Sequence, residues 1–261
     1  PDPENQAKIE QAGEAFRAIK VARFETEIGI TKETIPAIEE SNRLLFESLD
    51  RHFRFYPYIL GGRPSVADAA LMETLHGHLA RDPYSANLMK MTAPVLYRWT
   101  ETMNRPGIQD AELPHVPQEF LRPDDLPETL INFLKLLCTD FGPQFAATAR
   151  AYEDWLAAEP DRPESTIISL NGEASNRQSI GTMQYELQGV TVRRDAWPDI
   201  INMHQYVVDV VDAMTASETA HWAEILHLIG GEDFLNYRPS RPLRLQKDRP
   251  PYAIILGPES V

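Results

Sequence analysis

The sequence predicts a mainly α protein: a helical bundle followed by a second helical block that carries a small β-hairpin. Three observations predict it. Apolar residues recur at steps of three and four through most of the chain, which is the period of a helix with one buried face. Ser65 stands three residues before Asp68 at the head of the apolar run Ala69, Ala70, Leu71, Met72 and Leu75, a helix-start signal. Strict alternation is confined to Met183, Tyr185 and Leu187, then Val190 and Val192, around Gln188-Gly189.

Taken in order, Asn5 to Phe24 carry Ile9, Ala12, Ala15, Phe16, Ile19 and Phe24 as a helical stripe. Thr31 and Thr34 offer capping hydroxyls, Pro36 suits an early helical turn, and Ile38, Leu44, Leu45, Leu49 and Phe53 share a face until Pro57 and Gly61-Gly62. In the capping box at Ser65 and Asp68, each side chain takes up a backbone N–H of the other residue, so the expected role is helix nucleation rather than catalysis. Asp82-Pro83 breaks the chain, and Pro94–Met103 forms a short helix with Val95, Leu96 and Trp99 inward. Residues 104–127 hold Pro106, Gly107, Pro114, Pro117, Pro123 and Pro127 and read as an irregular connector. Beyond it, Leu130 to Phe141 and Phe145 to Leu156 read as two helices, and the polar stretch 159–178 as a loop. Helices from about Asp199 to Met214 and Ser217 to Ile229 follow, then short strand-like runs at Leu243 to Leu245 and Tyr252 to Leu256. The expected division is therefore 1–105, a connector at 106–127, and 128–261.

Charge and cysteine content narrow the function classes. The 261 residues carry a net charge of −14, which repels phosphate backbones, so nucleic acid is not an expected partner. No apolar run is long enough to span a bilayer. The single cysteine, Cys138, allows no intrachain disulfide and no cysteine-based metal cluster. A soluble, acidic protein of a reducing intracellular compartment, cytoplasmic or mitochondrial, is expected. Pro1 is not a translation start, which leaves room for a segment upstream.

Candidate chemistry is sparse. His76 and His78 point to different helix faces, His221 and His227 are poorly spaced, and His52, His115 and His204 stand alone. No metal site is expected, and these histidines are expected at the surface or in caps. Cys138 has apolar neighbours Leu136, Leu137 and Phe141, which raise a thiol pKa and favour an inert cysteine. The carboxylates Asp140, Glu153, Asp154, Asp209 and Asp212 read as solvated helix faces. Arg193 and Arg194 are expected in ionic contacts within the protein, with anion binding as the second use.

The run Pro57-Tyr58-Ile59-Leu60-Gly61-Gly62-Arg63-Pro64-Ser65-Val66-Ala67-Asp68 resembles the centre of a glutathione S-transferase C-terminal domain, where a "YLLGGRPSxAD" segment enters the buried central helix. Ile59 replaces a leucine. The likeness continues through His78 to Pro83, Ala93-Pro94, Trp99 and Met103, and upstream over Gly29 to Glu39, in the manner of a long bacterial-type subgroup. That subgroup's C-terminal extension carries a "GxxxxRxxxPxxxWMLQR" pattern, which Gly189, Arg193, Arg194 and Pro198 match, while Ile201 to Tyr206 replace its end.

The resemblance implies a helical domain that walls an apolar pocket, with Tyr56, Tyr58, Tyr97 and Trp99 as candidates for that wall or for core. It also implies that the catalytic Tyr, Ser or Cys, the cis-proline and the Glu-Ser pair lie in an N-terminal thioredoxin-like domain. Pro163-Glu164-Ser165 and Pro258-Glu259-Ser260 spell Glu-Ser outside any βαβ pattern and are read as chance.

Two functions are therefore expected. The first is a non-catalytic scaffold or accessory subunit, bound to protein partners or to itself, with Arg193, Arg194, Trp197, Trp222 and Tyr237 as exposed contact residues. The alternative is the C-terminal part of a glutathione-dependent transferase whose thioredoxin-like domain lies upstream of Pro1. No cofactor is expected other than glutathione in that second case.

Overall fold

The computed structural model of the chain describes residues 3–105, 112–170, 179–246 and 253–257. Pro1, Pro106, Gly107, residues 171–178, Tyr252 and the Pro258-Glu259-Ser260 run lie outside the described residues. Two compact units divide the chain, one made of Pro1–Glu39 with Cys138–Val261, the other of Glu40–Leu137.

The Glu40–Leu137 unit is helical. It contains most of α2 (Ile35–Phe53), then α3 (Val66–Thr74), which runs into a π-helical turn at Leu75–Leu79, followed by α4 (Pro83–Thr92), α5 (Pro94–Met103) and the start of α6 (Glu128–Ala158). Its core gathers Phe46, Leu49 and Phe53 with Ile59, Leu75, Met89, Leu96, Trp99, Leu130 and Phe133. Pro83 and Pro94 each sit in the first turn of their helices, where the missing N–H costs no bond. The chain break at Asp82-Pro83 is thus also the start of α4, a helix the sequence pattern left unassigned; it buries Ala86 and Met89. The described part of the connector is irregular but pinned: Gly62 N–H donates to Glu119 O (2.9 Å) and Leu121 N–H to Leu60 O (2.8 Å). A Cβ on Gly62 would lie 1.8 Å from Pro117 O, so only glycine admits this approach.

The other unit opens with α1 (Pro3–Arg23), which passes into a π-helical turn at Phe24–Ile28 and stops at Gly29. Gly29 has φ +78, and a Cβ there would meet Arg193 O at 2.5 Å, so the turn rests directly on strand backbone. The strand is β3 (Val190–Asp195), paired in register with β2 (Thr182–Leu187). Gln188 (φ 49) and Gly189 (φ 76) form its two-residue turn; positive φ at both positions matches the right-handed twist of a hairpin.

Helices α7 (Asp199–Asp212), α8 (Ala216–Ile229) and α9 (Glu232–Leu235) follow. Thr215 and Glu218 close a capping box on α8, and Gly230 (φ 70) ends it in the left-handed conformation. The stretch 159–178 expected as a loop contains β1 (Ile167–Leu170), which pairs antiparallel with β5 (Ala253–Leu256); β5 in turn pairs with β4 (Leu243–Gln246), giving the order β1-β5-β4. Phe145, Tyr152, Ile168, Met183, Ile201, Leu243 and Leu256 are among the buried side chains of this unit's core.

The two helices expected at Leu130 to Phe141 and Phe145 to Leu156 are one, α6, which continues through Pro143. An internal proline removes one helical hydrogen bond at a cost of about 3 kcal/mol. Burial on both sides outweighs it: Leu130, Ile131 and Phe133 before the proline, and Phe145, Ala147, Ala149, Tyr152 and Leu156 after it.

Candidate functional site

In both units buried polar residues hold the fold. In the helical unit, Asp68 is fully buried: Oδ1 accepts from Ile59 N–H (2.9 Å), and Oδ2 from Ser65 N–H (2.8 Å) and the Ser65 hydroxyl (2.7 Å). Both arms of the Ser65–Asp68 capping box are present. Asp50, which the sequence pattern did not single out, is 4% exposed. Its Oδ1 accepts from Val95 N–H (2.7 Å) and Leu96 N–H (3.1 Å), and its Oδ2 from the Arg54 guanidinium (2.6 Å). Ala93 offers α5 no side-chain cap, so Asp50 supplies the cap from another helix. The signal was an acidic residue on the apolar face of α2, beside Phe46, Leu49 and Phe53.

His52 is also fully buried, not at the surface. Nε2 lies 3.2 Å from Tyr58 O, which can only accept, so Nε2 carries the proton and Nδ1 accepts from the Thr129 hydroxyl (2.9 Å). Burial pushes the His52 pKa down, which keeps the ring neutral. Its ring stacks on the half-buried Tyr56 (5.2 Å). Trp99 stacks on Phe53 (4.3 Å) and donates its indole N–H to Pro57 O (3.1 Å). Tyr97 packs against the same core with the Lys90 ammonium 4.7 Å from its ring, and Tyr58 is half-buried.

In the other unit a polar cluster ties the C-terminal segment to α6. The Glu153 carboxylate accepts from the Tyr237 hydroxyl (2.5 Å), Ser240 N–H (3.1 Å) and the Ser240 hydroxyl. The Tyr152 hydroxyl donates to Arg241 O (2.8 Å), and the buried Arg241 guanidinium donates to Arg162 O (2.7 Å) and Gly257 O (2.9 Å). Burial holds both phenols well above the ordinary tyrosine range, so they act as donors and not as bases. His204 is buried against Phe145 (4.6 Å) and Tyr237 (5.9 Å), again not at the surface.

Trp197, Trp222 and Tyr237 are half-buried, not exposed as expected of contact residues. Tyr237 is held by Glu153 and by an edge contact to Phe145, and the Arg194 guanidinium lies 5.0 Å from the Trp197 ring. Trp222 has a buried indole N–H. Arg193 is exposed opposite Gln184 in the hairpin.

The remaining candidates scatter. Asp140 accepts from Gln188 (2.8 Å), Asp212 from Arg238 (2.7 Å), and Asp154 and Asp209 are exposed. His227 pairs with Glu232 (2.8 Å), His221 lies 3.6 Å from Glu224, and His76 meets Arg81. His78 and His115 are exposed. Among the described residues no group of three or more His, Cys, Asp or Glu could hold a metal. Burial raises the Cys138 thiol, with Glu232 adding to it, so little thiolate forms near neutral pH.

What the described surface does assemble is apolar. On α1, Ile9 (72% exposed), Phe16 (63%) and Ile19 (67%) line one side, with Ala12 between them. On α7, Met203 (69%), Tyr206 and Val210 (63%) do the same, while Ile201, His204, Gln205 and Val208 face inward. Both rows have the three-four step of a helix-packing seam. The α1 stripe was legible as a stripe, but its period says only that one face is apolar, not whether the fold covers it.

Comparison with known families matches residues 11–106 to the model of the glutathione S-transferase C-terminal domain. No curated protein and no solved structure matches the chain. No helix among the described residues is long and apolar enough to cross a membrane.

Proposed function

With residues 11–106 carrying a glutathione S-transferase C-terminal domain, we propose that this chain works as a protein-interaction module, an accessory or scaffold subunit of a larger assembly. The supporting observation is the pair of exposed apolar rows on α1 and α7. Burying one large aliphatic or aromatic side chain gains roughly 1.5–3 kcal/mol, so three in one row give a helix face a strong drive to be covered. Among the described residues, Asp68 and Asp50 cap helices, and Glu153 and Arg241 tether the C-terminal segment, so these four buried or half-buried polar groups serve the fold.

A second reading draws on the family match: the same helices serve as the second-substrate side of a glutathione-dependent transferase. Two measurements on the protein expressed at its own locus separate the readings. Retention on immobilised glutathione, with conjugation of an electrophile, favours the transferase. Association with protein partners that is lost when Phe16→Glu and Val210→Glu are introduced, with the circular dichroism unchanged, favours the interaction module. Partners held equally by the substituted chain would refute it.

A further inference from the structure

We propose that the exposed row of α7 docks a basic amphipathic helix of another protein, its apolar stripe against Met203, Tyr206 and Val210 and its lysines and arginines against the carboxylates around that row; the assignment rests on the interaction reading of α7 and names the partner's chemistry.

The shape of the row selects a helix. Ile201 and Val208 hold α7 to its own unit from one side, with His204 and Gln205 also buried, while Met203, Tyr206 and Val210 lie exposed on the other. Met203 and Val210 are seven residues apart, about 10.5 Å at 1.5 Å per residue, and Tyr206 stands between them. Three anchors over two turns match the stripe of an amphipathic helix laid alongside. A methionine adapts to the side chains it meets, and a tyrosine offers a large apolar body with a polar tip, so the row has the residue types of an interface rather than of a surface left bare.

Charge selects the sign of the partner. Residues 195–237 hold eight Asp or Glu residues and no Lys or Arg, so this one stretch carries more than half of the chain's net charge of −14. It spans α7, α8 and α9, and Asp209, Glu218, Glu224 and Asp233 are exposed on them. Asp209 borders the row directly, three residues after Tyr206 and one before Val210, and Asp199 stands one turn before Met203. Arg238, just beyond the stretch, answers Asp212 (2.7 Å), and His221 lies 3.6 Å from Glu224; the stretch has no lysine or arginine of its own to answer Asp199 or Asp209. An apolar row set in such a field attracts a cationic partner and repels an acidic helix, an anionic lipid surface and a second copy of the same face.

The test uses the whole chain and a fluorescein-labelled helical peptide of about 18 residues, five turns, with leucines along one face and lysines on the rest. Fluorescence anisotropy is expected to show saturable binding that weakens roughly tenfold between about 0.05 M and 0.5 M salt. Met203→Ser with Val210→Ser should weaken it by roughly a hundredfold, and Asp209→Lys by roughly tenfold. All three side chains are exposed, so the circular dichroism should not change. A peptide with glutamate for every lysine, and one with the same leucines scattered over all faces, should each bind at least about tenfold more weakly than the lysine peptide. The proposal is overturned by equal binding of the glutamate or scattered peptide, by unchanged binding to the Met203→Ser, Val210→Ser chain, or by no saturable binding of the lysine peptide. A dimer in sedimentation equilibrium that is lost with those two substitutions would assign the face to a second copy and overturn it as well. None of these outcomes decides the interaction reading itself, which fails only if partners in the cell are held equally without Phe16 and Val210.

Discussion

Replacing Asp50 should uncouple α5 from α2 in the helical unit. Asp50→Ala leaves the Val95 and Leu96 N–H groups without their shared acceptor, and the Leu96 N–H is buried. Hydrogen bonds to a charged group contribute about 1.5–3 kcal/mol each, and loss of a helix cap costs about 1 kcal/mol. The two N–H groups share one oxygen, so the expected loss is about 3 kcal/mol. Asp50→Asn keeps an acceptor for both N–H groups but turns an amide towards Arg54, and about 1–1.5 kcal/mol is expected. Arg54→Ala removes a guanidinium that is 56% exposed, which water already screens, and should cost less than about 1 kcal/mol. Urea titration followed by circular dichroism, with all three variants in parallel, ranks them. Equal midpoints for Asp50→Ala and Arg54→Ala would refute the assignment of Asp50 as the cap of α5.

Other perturbations follow from the same geometry. Gly29→Ala should destabilise by roughly 1–3 kcal/mol, because the residue holds φ +78 and its Cβ would overlap Arg193 O; thermal unfolding would report it. The lowered pKa of buried His52 means that the unfolded chain takes up a proton there that the folded chain refuses. Stability from this residue is therefore full above the ordinary imidazole value of 6.5 and falls as pH drops below it, so urea midpoints at pH 7.5 and 5.5 should lie closer together in His52→Gln than in the parent. Cys138, with its thiol raised by burial, should react with iodoacetamide more slowly at pH 7 than a free thiol does, and at the free-thiol rate in denaturant.

Much of the fold is local and was legible for that reason. The Ser65–Asp68 box, the Gln188-Gly189 turn and the prolines heading α4 and α5 act within a few residues of themselves. What could not be read depends on partners far along the chain. Strand β1 lies in a polar stretch and exists because Leu170 pairs with Ala253. Helix α6 crosses Pro143 because side chains on both sides of it are buried. The expected interaction residues were chosen as Trp, Tyr and Arg by type, yet Tyr237 is consumed by Glu153 and Phe145. Ile9, Phe16 and Ile19 had the pattern of a core face and are exposed. Periodicity identifies an apolar face, and only the fold shows which faces are covered.

The claim that these faces serve assembly is tested most directly by the native mass of the protein in extracts of its own cells. The account predicts a species well above the 29.6 kDa of the chain that falls in size when Phe16→Glu and Ile19→Glu are introduced together. A mass that is the same with and without those substitutions would contradict it.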